Sequence, residues 1–277
     1  MGGTSATTPI KSDVVAMVAR LAKQVERDGA CSLPGVSVDY EKMLPMVHRA
    51  IHRGFVTEAT GFYVLRGLRW GFDLGVDVTK LKGRRWFSNY PTALAARDAV
   101  TVATRKRVEA HKTVALGAFP RKAAALLPWE DCRVFPLGAV PKPLEPDVMR
   151  PVSDHTRSGL KEATDTAFFK HSLTATEDIT RELSKGYYMR MSDVDGAFLL
   201  LPLAPKLWPF FLFYWYSVSD DPLQRDEIRD EMWLYMHLCA DWSCGRPWDI
   251  QDVFCGCGDW GCSVGGGVHA AIGGVRG

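Results

Sequence analysis

Gly138-Ala139-Val140-Pro141-Lys142, followed eight residues after the lysine by Arg150-Pro151-Val152-Ser153-Asp154-His155-Thr156, decides how this chain is read. The first run continues an apolar stretch that begins at Val134. The polar residues 143–149 separate it from the second. The pattern predicts two extended segments, 134–142 and 150–154, joined by a turn. Gly159-Leu160 follows the second run. A third run then matters: Asp193-Val194-Asp195-Gly196-Ala197-Phe198-Leu199-Leu200-Leu201-Pro202-Leu203. Taken singly, a lysine here is a solvated charge, Asp193 a turn residue and Phe198 part of a core. Their order and spacing are what carry information.

The surrounding composition sets the frame. The 277 residues are 47% hydrophobic and 24% charged, which excludes a disordered, collagen-like or coiled-coil chain. Net charge is +2, but residues 1–130 hold 20 Lys+Arg against 11 Asp+Glu, and residues 131–277 hold 14 against 21. A basic first half suits contact with a polyanion. No apolar leader segment stands at residues 1–30, where Lys11, Arg20, Lys23 and Arg27 are spread through a helical pattern, so an intracellular chain with reduced thiols is expected. Residues 198–218 are apolar but contain Pro202, Pro205 and Pro209, each lacking a backbone donor. That argues against a membrane span and for two short buried strands joined by a proline-rich connection.

Working outward, residues 12–27 predict an amphipathic helix: Ser12 to cap it, a stripe of Val14, Val15, Val18, Leu21, Ala22 and Val25, and Gly29 to end it. A Gly/Pro/Ser break covers 32–37. Residues 41–53 predict a helix despite Pro45. The glycine-rich stretch 65–75 predicts a loop with short elements. Residues 92–111 predict one helix, its last turns carrying Arg105, Lys106 and Arg107, where cations favour a helix C-terminus. Further helices are expected at 176–185 and 222–238, and an extended segment at 189–203.

The three runs together resemble the fingers and first palm motifs of retroelement reverse transcriptases, over about residues 60–240. The resemblance implies an RNA-directed DNA polymerase, with RNA template, DNA primer and dNTP as partners and two magnesium ions as cofactors. It implies that Lys142 and Arg150 supply cations to a triphosphate and that Asp193, favoured over the rival Asp195 by the register of Ala197, Phe198 and Pro202, is the first metal-binding, catalytic carboxylate. Val194 would offer a backbone carbonyl ligand beside it. Phe198 would be the aromatic that crowds a ribose 2′-hydroxyl. The chemistry is coherent, since phosphoryl transfer needs cations over the phosphates and carboxylates presenting two metals.

The second palm carboxylate pair, Tyr-x-Asp-Asp, is missing. Asp220-Asp221 lies only 27 residues after Asp193, just before Pro222 and a charged stretch, and reads as a turn or helix cap. The tail is also unusual: ten glycines in 245–277, and five of the seven cysteines from Cys239 onward. One account is a nucleic-acid-binding module with a zinc site drawn from His237, Cys239, Cys244, Cys255, Cys257, Cys262 and His269, although no paired C-x2-C spacing is present. The other account is a change of frame between Cys239 and Pro247. Back-translated one register over, residues 248–261 can read Gly-Thr-Phe-Lys-Met-Phe-Phe-Val-Asp-Val-Val-Ile-Gly, and both tryptophan codons force glycine in that frame. Codons for Val275-Arg276-Gly277 and a TGA stop can read Tyr-Val-Asp-Asp. The frame change explains the glycines, the cysteines and the terminus together.

The expected fold class is α+β, with a helical N-terminal region and an incomplete fingers–palm core bearing a small antiparallel sheet. The expected divisions are an N-terminal helix and linker (1–38), a helical basic region (39–130), a partial fingers–palm core (131–240) and a poorly ordered Gly/Cys-rich tail (241–277). Lacking the second carboxylates, the chain as written is expected not to polymerise DNA.

Overall fold

The computed structural model describes residues 10–118, 127, 129–142, 145–165, 188–190, 200–218, 232–239 and 271–273. Three helices come first. Helix α1 (Ile10–Asp28) buries Val14 and Val25, and it stops at Gly29, whose N–H donates to Val25 O at 2.9 Å. Helix α2 (Tyr40–His52) starts at Asp39, whose carboxylate accepts from the N–H groups of Glu41 and Lys42. Helix α3 (Glu58–Trp70) starts at Thr57, whose hydroxyl accepts from the N–H of Thr60. These helices match the sequence reading at 12–27 and 41–53, except that α1 is already helical at Ile10, so Ser12 lies inside it and does not cap it; α3 runs through much of the stretch expected to be a loop. Gly61 and Gly67 do not break it because they serve packing: a Cβ on Gly61 would strike Ile51, and one on Gly67 would strike the Phe72 ring.

Along the chain follow β1 (Arg84–Trp86), α4 (Pro91–Ala95), α5 (Arg97–Glu109), β2 (Thr113–Ala118), β3 (Cys132–Phe135), β4 (Leu137–Lys142), β5 (Glu145–Ser153), α6 (Leu160–Ala163), β6 (Tyr188–Arg190), β7 (Leu212–Tyr216), β8 (Met232–His237) and β9 (Ala271–Gly273). Short 3₁₀ turns occupy Ala30–Ser32, Val78–Lys80 and Pro205–Phe210. The single helix expected over 92–111 is two, because Ala96 leaves the helical region at φ −99° and ψ 35°. The expected helix at 176–185 lies outside the described residues, as does 222–231. Residues 232–237 are strand rather than helix. That run is apolar without a clear period, and β2 and β7 on either side supply the pairing that makes it extended. Within 200–218 the proline-rich part is a 3₁₀ turn, and one strand, β7, follows it.

A five-stranded sheet in the order β1-β3-β7-β8-β2 organises this mixed helix-and-sheet fold. It is not purely antiparallel as expected. β1 with β3 and β3 with β7 pair parallel, while β7 with β8 and β8 with β2 pair antiparallel. The long connections from β1 to β3 and from β3 to β7 give the chain the return path that parallel pairing requires. β4 with β5, and β6 with β9, form separate antiparallel ladders. The main sheet takes strands from both sides of residue 130.

Two cores cover its faces. Leu212, Tyr214, Leu234, Met236 and Val134 face α1–α3, among Val25, Val64 and Leu68. Phe213, Trp215, Tyr235 and Phe135 face the opposite way, against Ala93 of α4 and Val100 of α5. The run Leu212-Phe213-Tyr214-Trp215 is therefore apolar without alternation, as a strand covered on both sides must be.

α3 is tied to this sheet through Gly71 and the strand-like residues around Leu203. The N–H of Phe72 donates to Pro202 O at 2.8 Å, and that of Ala204 to Phe72 O at 3.0 Å. Gly71 has φ 85°, and a Cβ there would lie 2.5 Å from the Ala204 backbone. Gly71→Ala should therefore cost about 3 kcal/mol, combining left-handed strain with overpacking, read as a lower urea midpoint at unchanged slope.

Candidate functional site

The hairpin expected from the opening motifs is present and longer than expected, since β5 begins at Glu145 and not at Arg150. Its register pairs Leu137 with Ser153, Gly138 with Val152, Ala139 with Pro151, Val140 with Arg150 and Pro141 with Met149, then shifts so that Lys142 meets Glu145. Leu137, Ala139 and Ser153 at its root are buried, whereas residues 140–142 and 145–148 are exposed. The structure thus brings Lys142 and Arg150 onto neighbouring arms near the tip, both open to solvent. Arg150 lies opposite Val140, two residues before Lys142 on the adjacent strand. The Lys142 ammonium donates to Glu145 Oε1 at 2.7 Å, an exposed pair worth well under 1 kcal/mol and easily exchanged.

The root of the hairpin is clamped by the segment 89–92, which the sequence reading did not single out. The Asn89 amide donates to Tyr214 O at 2.7 Å, and its Oδ1 accepts the N–H of Leu137 at 2.9 Å. It thereby joins β7 to β4. The N–H of Tyr90 donates to Leu137 O at 2.9 Å, and that of Ala139 donates to Thr92 Oγ1 at 3.3 Å. The Tyr90 hydroxyl donates to Asp154 Oδ2 at 2.5 Å, while Asp154 Oδ1 accepts the N–H of Arg157 at 2.9 Å. The Arg157 guanidinium lies over the Tyr90 ring, 5.3 Å from its centroid. The available signal was Ser88-Asn89-Tyr90-Pro91, a polar pair immediately before a proline that opens a helix.

The rest of the second motif is structural too. His155 is buried against Phe135 and Phe211, with ring centroids 4.6 and 5.1 Å away. The Ser158 carbonyl accepts from Arg133 Nε at 3.2 Å. Arg133 is only 2% exposed. Its remaining bonds go to the carbonyls of Cys132, Lys82 and Gly83. This buried cation is thus solvated by main-chain oxygens and holds the turn after β5 to the approach to β1. Nearby, Asp131 accepts from the Gly83 N–H at 2.6 Å and from Lys82 at 3.3 Å, and the Gly83 bond leads in holding its carboxyl below the usual range.

Asp193, Val194 and Phe198 lie outside the described residues. The end of their motif is placed: Leu203 is fully buried, and its N–H donates to Leu238 O at 2.8 Å. Of the cysteine and histidine residues weighed for zinc, His237 and Cys239 belong to the core. His237 Nδ1 lies 2.8 Å from the Thr113 hydroxyl, and its ring stacks on Phe213. Cys239 is fully buried, and burial pushes its thiol up to about 12. Cys244, Cys255, Cys257, Cys262 and His269 lie outside the described residues. Among the described residues there is no cluster of three or more His, Cys, Asp or Glu side chains able to hold a metal, and no helix is long and apolar enough to cross a membrane.

Compared with known proteins, the chain matches no family model and no curated protein. The residues themselves carry the functional argument.

The Tyr90–Asp154 bond raises the tyrosine's pKa, since the carboxylate favours the protonated hydroxyl. A group whose folded pKa is raised stabilises the fold below its unfolded value and loses that contribution as pH rises through the folded one. Tyr90→Phe should therefore lower stability by about 1 kcal/mol at pH 7. The difference from the parent should shrink as pH rises past about 10. Urea titrations across that range check both statements.

Proposed function

We propose that this chain carries the fingers hairpin and first palm motif of a retroelement-type RNA-directed DNA polymerase, and that as written it does not polymerise. The observation that supports the reading best is the clamped hairpin. A rigid root fixed by Asn89, Tyr90 and Asp154 carries an exposed tip with Lys142 and Arg150 on adjacent arms. Two mobile cations on a braced ribbon suit a triphosphate, which needs charge neutralisation and a fixed approach direction.

In this reading Lys142 leaves Glu145 for the phosphates when dNTP arrives, and Arg150 takes a second phosphate from the opposite strand. Asp193 would hold magnesium, with the Val194 carbonyl beside it, and Phe198 would pack against the sugar. Bound magnesium supplies charge at the transferring phosphoryl and activates the primer hydroxyl. The donor set does not fit two such ions, because no Tyr-x-Asp-Asp pair exists in the sequence to complete it. No step of transfer follows for the chain as written. Primer, template and nucleotide binding are the activities that remain to it.

Primer extension on an RNA template with magnesium tests the reading. The chain as written should give no product. A chain restored to the second frame after Cys239 should extend the primer, and Asp193→Ala should abolish that signal. Lys142→Ala and Arg150→Ala in the restored chain should each raise the dNTP KM about tenfold, the loss of one charge-assisted contact. Asp193-dependent extension by the chain as written would overturn the claim of inactivity. A transcript that, across codons 235–277 and beyond, does not open into Tyr-x-Asp-Asp in the second frame would overturn the polymerase reading.

A further inference from the structure

We propose that the outer face of α3 is a stacking platform for single-stranded nucleic acid. Phe62, Arg66 and Trp70 are spaced by four residues on one helix, so they line a single face about 12 Å long. Phe62 is 50% exposed and Trp70 47%. Between them the Arg66 guanidinium stands 64% exposed, steadied by Asp73 at 2.8 Å. At the C-terminal end Arg69 is flanked by two rings, its guanidinium carbon 5.3 Å from the Trp70 centroid and 5.5 Å from that of Tyr40. Lys206, brought in by the turn after Leu203, lies 3.9 Å from the same Asp73 carboxylate.

The arrangement alternates flat apolar surfaces with cations. Arg66 and Lys206 share one carboxylate and leave positive charge over, and Asp28, which lies near Arg69, is paired with Arg27 at 2.7 Å. A single strand offers the complementary alternation, with bases to stack on Phe62 and Trp70 and phosphates for Arg66 and Lys206. Duplex nucleic acid hides its base faces and could use only the cations. A protein partner fits less well, because lysine is depleted at protein docking sites and Lys206 sits beside Arg66 at the same carboxylate, whereas a phosphate takes either cation. The excess of Lys and Arg over residues 1–130 extends the attraction beyond the platform. This face lies on an element separate from the hairpin and does not depend on the polymerase reading.

The test uses the full chain and a fluorescently labelled oligodeoxythymidine, with affinity read by anisotropy. Phe62→Ala and Trp70→Ala should each weaken binding about tenfold, and Trp70→Phe should restore most of it, since stacking needs a ring and no particular one. Arg66→Ala should lower the slope of log affinity against log salt by about one. The aromatic substitutions should change affinity for a labelled duplex of matching length by less than twofold. Thermal melting followed by circular dichroism confirms that each variant is folded. Folded aromatic variants that bind oligodeoxythymidine like the parent would overturn the proposal, as would an equal loss on duplex. So would a change in sedimentation without a change in binding, which would mark the face as a contact between copies. None of these results bears on the hairpin, which is judged by nucleotide binding and primer extension.

Discussion

Strand β7 must be covered on both faces, and the other elements are arranged around that requirement. Its residues 212–215 are Leu, Phe, Tyr and Trp, all buried, with side chains alternating between two cores. Helices α1–α3 cover one face and α4–α5 the other. Its two edges are taken by β3 and β8, one parallel and one antiparallel. A strand with this composition cannot sit at an edge or on an open face without exposing several aromatic side chains to water.

The hairpin inherits its position from that strand. Asn89 bonds the Tyr214 carbonyl with one end of its amide and the Leu137 N–H with the other, so the root of β4 is set by the centre of the sheet. Tyr90 and Asp154 then fix the end of β5, and Arg133 holds the turn beyond it. The outcome is a gradient from a buried, fully bonded root to a solvent-exposed tip. Side chains at the end with fewest internal bonds are the ones able to exchange partners.

Much of this was legible from the residues. The stripe of α1, the Gly29 stop, the helix over 41–53 and the two arms of the hairpin all rest on contacts within a few residues. The failures share a cause. Gly67 suggested a loop, yet it is where the Phe72 ring presses against the helix. Residues 232–237 suggested a helix, yet β2 and β7 compel extension. Arg133 gave no sign of being buried, since its partners are main-chain carbonyls, and a carbonyl leaves no trace in residue identity. Asn89 and Tyr90 were visible only as a polar pair before a proline.

Local chemistry alone therefore determined the Gly29 stop of α1, the extended arms, and the placing of Lys142 and Arg150 on the two arms of one hairpin. Those features need only backbone preferences or a short loop. Tertiary structure decided the parallel pairing of β1, β3 and β7, the strand state of β8, the clamp at the hairpin root and the outward face of α3. Each of these depends on a partner from a distant part of the chain, and its free energy arises only once that partner has arrived.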